Sequence, residues 1–125
     1  MKIEHFALNV PDSVAMADWY VKNLGFTIIR ADAESPFVRF IADDDGCMLE
    51  LYQNPTAPTF DFPAVHHLSL HLAFESANPQ ADAERLMEVG AKLWEVINTP
   101  SGDMLVMLKD PWGVAIQFCR RAKKL

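Results

Sequence analysis

The order of strand-like and helix-like stretches in the first 53 residues recurs after residue 64. This repetition limits the fold more than any single motif. Residues 2–10 alternate as a half-buried strand does, with Phe6, Leu8 and Val10 on one face and His5, Ala7 and Asn9 on the other. Pro11 stops that strand and Asp12 is a good helix N-cap. Met16, Trp19, Tyr20 and Leu24 then recur at helical spacing over Ser13–Leu24, and Gly25 is a natural stop. Residues 26–30, 37–42 and 47–53 read as strands, with a turn at Asp43-Asp44-Asp45-Gly46. Residues 54–63 hold three of the eight prolines and no periodicity, so they read as a linker. After it residues 65–74 read as a strand. Asn78 and Pro79 open a helix that Gly90 closes. Residues 92–97, 104–108 and 114–119 are strands around turns at 100–103 and 110–113.

The two halves align. His5 falls over His67 at an offset of 62, Gly25 over Gly90, and Gly46 over Gly113. Glu50 falls over Gln117 at an offset of 67, the difference being absorbed in loops. Three of the four histidines, His66, His67 and His71, lie in residues 65–74. Strand alternation there sets Leu68, Leu70, Leu72 and Phe74 on a dry face, and His67, Ser69 and His71 on a wet one. His66 then faces the dry side as a structural residue, and His71 matches Asn9 of the first half. His5, Glu50, His67 and Gln117 are each flanked by apolar residues of opposite facing.

Seventeen acidic against eleven basic side chains give a net charge of −6, which excludes a nucleic-acid partner because phosphate binding needs a basic surface. No apolar run is long enough to cross a membrane, and no targeting segment precedes the first strand, so a cytoplasmic protein is expected. Cys47 and Cys119 are too few for a disulfide scaffold and read as buried free thiols. The 125 residues suffice for one domain with its own core.

Several short motifs sharpen this reading. They are Ile3-Glu4-His5-Phe6-Ala7-Leu8, Trp19-Tyr20 followed by Leu24-Gly25-Phe26, and Leu49-Glu50-Leu51. In the second half they are His66-His67-Leu68-Ser69-Leu70 and Asp110-Pro111-Trp112-Gly113 ahead of Ile116-Gln117-Phe118. On these motifs the whole chain resembles the vicinal oxygen chelate superfamily. That group holds glyoxalase I, bleomycin-resistance proteins, extradiol dioxygenases, fosfomycin-resistance enzymes and methylmalonyl-CoA epimerase.

The resemblance implies an α+β fold in which two βαβββ modules form a half-open, curled, mixed-sheet barrel. Module one is 1–53, the linker 54–63 and module two 64–125, in one domain. It implies metal ligands at His5, Glu50, His67 and Gln117. Such a set suits a divalent Ni, Co, Zn, Mn or Fe ion with positions left open. Glu50 is the expected catalytic base and His71 a further acid–base group, with Asn9, Met48, Tyr52 and Asn54 along the substrate pocket. The implied function is a glyoxalase-like, metal-dependent lyase or isomerase for a small substrate that binds through vicinal oxygens. The protein is expected to be a homodimer; some members build their sites from modules of two chains. The alternatives are a non-catalytic sequestration protein of the bleomycin-resistance type and a thiol-transferring resistance enzyme. Asn54 stands where glyoxalase I places a glutathione-contacting asparagine, whereas Asn9 stands where that enzyme usually has an arginine.

Overall fold

The structure, a computed structural model, describes all residues 1–125 and divides into two compact units, Met1–Phe60 and Asp61–Leu125. The first unit runs β1 (His5–Asn9), α1 (Ser13–Leu24), β2 (Thr27–Ala31), β3 (Arg39–Ala42) and β4 (Met48–Tyr52). The second repeats it: β5 (Leu72–Glu75), α2 (Pro79–Met87), β6 (Lys92–Asn98), β7 (Met104–Lys109) and β8 (Ala115–Arg120). Each unit is therefore the βαβββ module expected from the sequence, and the fold class is α+β. The sheets have strand orders β1-β4-β3-β2 and β5-β8-β7-β6. The first and last strand of each unit pair in parallel, and the remaining pairs are antiparallel. Neither sheet closes on itself. No helix is long and apolar enough to cross a membrane.

The helices start and stop where local chemistry requires. Asp12 accepts a hydrogen bond from the Ala15 N–H at 2.9 Å, and Gly25 takes the left-handed φ of 76° that ends α1. Asn78 accepts from Ala81 at 3.3 Å, with Pro79 in the first turn of α2. Met16 and Tyr20 of α1 are fully buried, as are Ile41 and Leu51 of the sheet. Burial of such side chains stabilises by about 1.5–3 kcal/mol each. Leu86 of α2 and Leu108 and Ile116 of the second sheet are likewise fully buried.

The largest departure from the sequence reading lies at residues 65–74. Only Leu72–Glu75 is a strand. The preceding residues turn twice, with Val65 N–H donating to Asp61 C=O at 3.1 Å and Ser69 N–H to His66 C=O at 2.8 Å. A strand needs a partner edge, and here the partner runs out. Leu72 pairs with Ile116 near the start of β8, and the chain before β8 is the tight Asp110–Gly113 turn, closed by Gly113 N–H to Asp110 C=O at 2.9 Å. The expected alternation consequently inverts: Leu68 is 74% exposed and His67 only 6%. Cys47 is a second correction. It is exposed, lying in the turn before β4 where its N–H donates to Asp43 Oδ1, whereas Cys119 is buried as expected.

Candidate functional site

Strand register fixes which residues of the two units correspond. Across the first sheet Ala7 lies opposite Glu50, Glu50 opposite Phe40, and Phe40 opposite Arg30. Across the second, Ala73 lies opposite Gln117, Gln117 opposite Met107, and Met107 opposite Glu95. Both rows pass a bulge on the outer strand, between Ile28 and Arg30 and between Leu93 and Glu95. Glu50 and Gln117 are thus true counterparts. His5 precedes Ala7 by two residues and shares its face, and the residue two before Ala73 is His71. The helix caps agree: Asp12 follows His5 by seven residues, and Asn78 follows His71 by seven. The offset of the first strands is therefore 66 rather than 62, and His71, not His67, stands at the place of His5.

In the first unit His5 Nε2 lies 3.3 Å from Glu50 Oε2, and its Nδ1 lies 2.5 Å from Glu4 Oε2. The edge of the imidazole meets the Phe40 ring, with centroids 5.3 Å apart. A carboxylate only accepts, so the contact with Glu4 assigns a proton to Nδ1, and Nε2 lies beside the Glu50 carboxylate. A proton or a metal cation between Nε2 and Glu50 Oε2 would satisfy both. A carboxylate behind the far nitrogen is the usual support of a metal-binding histidine.

In the second unit His71 Nδ1 lies 2.8 Å from the His67 carbonyl. A carbonyl also only accepts, so Nδ1 carries a proton, as in His5. Gln117 is 9% exposed, and its Oε1 accepts a hydrogen bond from Cys119 Sγ at 3.0 Å. Burial pushes the Cys119 thiol up from its ordinary value, which keeps it a donor. His67 sits in the turn, its Nε2 3.4 Å from Glu95 Oε2 and its ring stacked on His66 with centroids 4.3 Å apart. Lys109 donates from Nζ to the carbonyls of Phe62 and Val65 at 2.9 and 2.7 Å, and burial lowers its pKa against the smaller opposing effect of Asp110.

Of the expected pocket residues, Met48 and Tyr52 lie opposite His5 and Asn9 on the face that carries Glu50. The Asn9 amide is occupied structurally. It donates to the carbonyls of Asn54 and Ala57, and its oxygen accepts from the Asn54 N–H at 2.8 Å. Sequence reasoning missed Glu4, Glu95 and Lys109. For His71 the missed signal was available, in the equal spacing from histidine to helix cap. No group of three His, Cys, Asp or Glu side chains is arranged to hold a metal ion. Each unit instead carries one imidazole whose Nδ1 is tied to an acceptor, and one oxygen donor on the neighbouring strand. An imidazole, a carboxylate and an amide oxygen are hard-to-borderline donors that suit a first-row divalent ion.

Comparison with known proteins gives the family. The model of the Glyoxalase/Bleomycin resistance protein/Dioxygenase superfamily matches residues 2–118. No curated protein matches the chain. Among solved structures, TnmS3, an antibiotic binding protein from Streptomyces sp. CB03234, is 25% identical with a TM-score of 0.73, covering 98% of this chain and 97% of its own. SMU.1112c is 24% identical with a TM-score of 0.73, over 96% and 98% of the two chains. A glyoxalase family protein from Enterococcus faecalis is 22% identical with a TM-score of 0.70, over 95% and 97%. The last two likenesses are of fold alone. The match over residues 2–118 and the paired βαβββ modules show that this chain belongs to the glyoxalase/bleomycin resistance protein/dioxygenase superfamily.

Proposed function

We propose that the protein is a glyoxalase-like lyase or isomerase that depends on a divalent metal and acts on a small substrate through vicinal oxygens. The donors are His5 and Glu50 of the first unit and His71 and Gln117 of the second. His71 takes the ligand role that the sequence pattern suggested for His67. The supporting observation is the repeated donor arrangement. In each unit an imidazole has Nδ1 tied to an acceptor and stands two residues ahead of the strand partner of an oxygen donor.

A divalent ion held by donors of this kind would supply positive charge for an oxygen anion developing on the substrate. The chain's own groups do the rest. Glu50 is the charged acid of the set and the proton carrier, its Oε2 already beside an imidazole nitrogen. Phe40 and Met107, opposite Glu50 and Gln117 in their sheets, give the two donors apolar neighbours. The Cys119 thiol holds the Gln117 amide by its oxygen. Asn9, which stands where glyoxalase I usually has an arginine, is committed to the 54–57 loop through its amide. A homodimer and a cytoplasmic setting belong to the same reading.

The test is a calorimetric titration of chelator-treated protein with Ni, Co, Zn and Mn. Stoichiometric binding is expected for the parent. It should be lost in His5→Ala, Glu50→Ala and His71→Ala, and retained at weaker affinity in His67→Ala. Binding that survives in His71→Ala but disappears in His67→Ala would refute the ligand assignment. If no divalent ion binds at all, the enzyme reading fails in favour of a second one, metal-free sequestration of a small molecule. The likeness to the antibiotic binding protein TnmS3 favours that alternative.

A further inference from the structure

We infer that Glu95 and His67 form a positioning arm that fixes the tautomer and aim of His71. The inference rests on the reading of His71 as a donor. His71 lies just before β5, so the β-ladder does not hold its backbone. Its imidazole is fixed through one bond, Nδ1–H to the His67 carbonyl at 2.8 Å. The position of that carbonyl therefore decides whether Nε2 is bare and where it points.

Lys109 holds the start of this turn through the Phe62 and Val65 carbonyls, and His67 is the side chain that buries its far end. Leu68 is 74% exposed and Ser69 is exposed, whereas the His67 side chain is 7% exposed. His67 Nδ1 is buried and has no hydrogen-bond partner. A proton on that nitrogen would be an orphaned donor, costing about 1–3 kcal/mol. Nε2 is then the nitrogen left to carry the proton, and Glu95 Oε2 is the carboxylate oxygen beside it, 3.4 Å away. The ring is steadied by His66, stacked at 4.3 Å and 26°, and by Trp94 at 5.9 Å.

Glu95 is well placed for the task. It follows the β6 bulge and ends the row that runs through Met107 and Gln117 to Ala73, two residues from His71. One sheet face thus carries Gln117 and also the anchor that sets His71. The first unit has no such arm. There Nδ1 of His5 is held by the neighbouring Glu4, and the residue at the row position of Glu95 is Arg30, which binds Asp32 at 2.8 and 2.9 Å.

Nitrogen-15 NMR of the imidazoles in metal-free protein, followed by divalent-metal titration, tests the inference. Glu95 is half exposed, so its substitution leaves the core intact. In the parent His71 should be a single Nδ1–H tautomer. Glu95→Ala should convert it to a mixture and weaken metal binding at least tenfold, the scale found when the support of a ligand histidine is lost. Glu95→Gln keeps an acceptor for Nε2–H and should restore both. The His5 signals should stay unchanged in every variant. A folded Glu95→Ala protein with parent-like His71 signals overturns the arm, and so does equal loss in Glu95→Gln and Glu95→Ala. If the tautomers respond as stated but the parent binds no metal, the arm stands and the metal-dependent function falls.

Discussion

Replacing Lys109 by Met tests how the turn that carries His66 and His67 is held to the second sheet. Lys109 ends β7 and is 6% exposed. Its Nζ donates to Phe62 and Val65 carbonyls at 2.9 and 2.7 Å and lies 5.7 Å from the centroid of the Trp94 ring. Methionine keeps the bulk and removes the donors. Each charge-assisted bond contributes about 1.5–3 kcal/mol net, and each carbonyl left without a donor costs on the order of 1–3 kcal/mol. The cation–π contact adds about 0.5–1 kcal/mol. Relief from burying a cation offsets part of this loss. The expected outcome is a net loss of about 2–4 kcal/mol, read from urea denaturation midpoints at neutral pH. The pH dependence supplies a second readout. Burial lowers the Lys109 pKa from 10.5, so between its folded value and 10.5 the unfolded chain holds a proton that the folded chain has lost. Unfolding then takes up protons, and the stability of the parent relative to Lys109→Met rises with pH through that window. A variant within about 0.5 kcal/mol of the parent, a loss typical of uninvolved surface sites, would refute the argument. So would a stability difference that does not change as pH approaches 10.5.

Other perturbations separate neighbouring effects. Gly113 has φ +88, and a Cβ there would sit 2.6 Å from the backbone nitrogen and ring carbons of Pro63, while Gly46 has φ +82 and open space. Gly46→Ala should therefore show only the left-handed backbone cost of about 1–2 kcal/mol, and Gly113→Ala a clearly larger loss; equal denaturation midpoints would rule out the Pro63 clash. Asp103 is held below its ordinary value by the Ala122 N–H first and the Arg121 guanidinium second. A lowered carboxylate favours the folded tie above 3.8 and loses it as pH falls through the folded value, so protection of the Ala122 amide, taken relative to its intrinsic exchange rate at each pH, should fall on acidification below 3.8. In Asp103→Ala that amide should exchange quickly already at neutral pH. Glu4→Ala removes the acceptor behind His5 Nδ1 and should weaken divalent binding about tenfold without changing its stoichiometry, as isothermal titration would show.

The contrast between His67 and His71 shows which signals in this chain are local and which are not. A helix cap is a property of a few consecutive residues, so Asp12, Gly25, Asn78 and Pro79 announce their elements wherever they stand. Glu50 and Gln117 are legible for a related reason. Each lies in a strand paired on both sides, where alternation does report facing. Alternation at 65–74 carries no such guarantee. The length of a strand is set by the edge it pairs with, and β8 starts too late to pair with residues before His71. Local likeness of His66-His67-Leu68-Ser69-Leu70 to the first strand thus favoured an alignment that the sheet does not allow. The spacing to the cap is the better guide. It is seven residues from His5 and from His71, but eleven from His67. That spacing is constrained because each chain leaves its sheet at one register position, with Val10 N–H donating to Tyr52 C=O and Ser76 N–H to Cys119 C=O, both at 2.9 Å. Glu95 and Lys109 were illegible for the opposite reason. Their partners are a ring and two carbonyls of a turn that no periodicity marks. In a repeat of this kind, matching outward from the helix caps recovers the equivalent strand positions, whereas matching histidine to histidine by neighbouring residues does not.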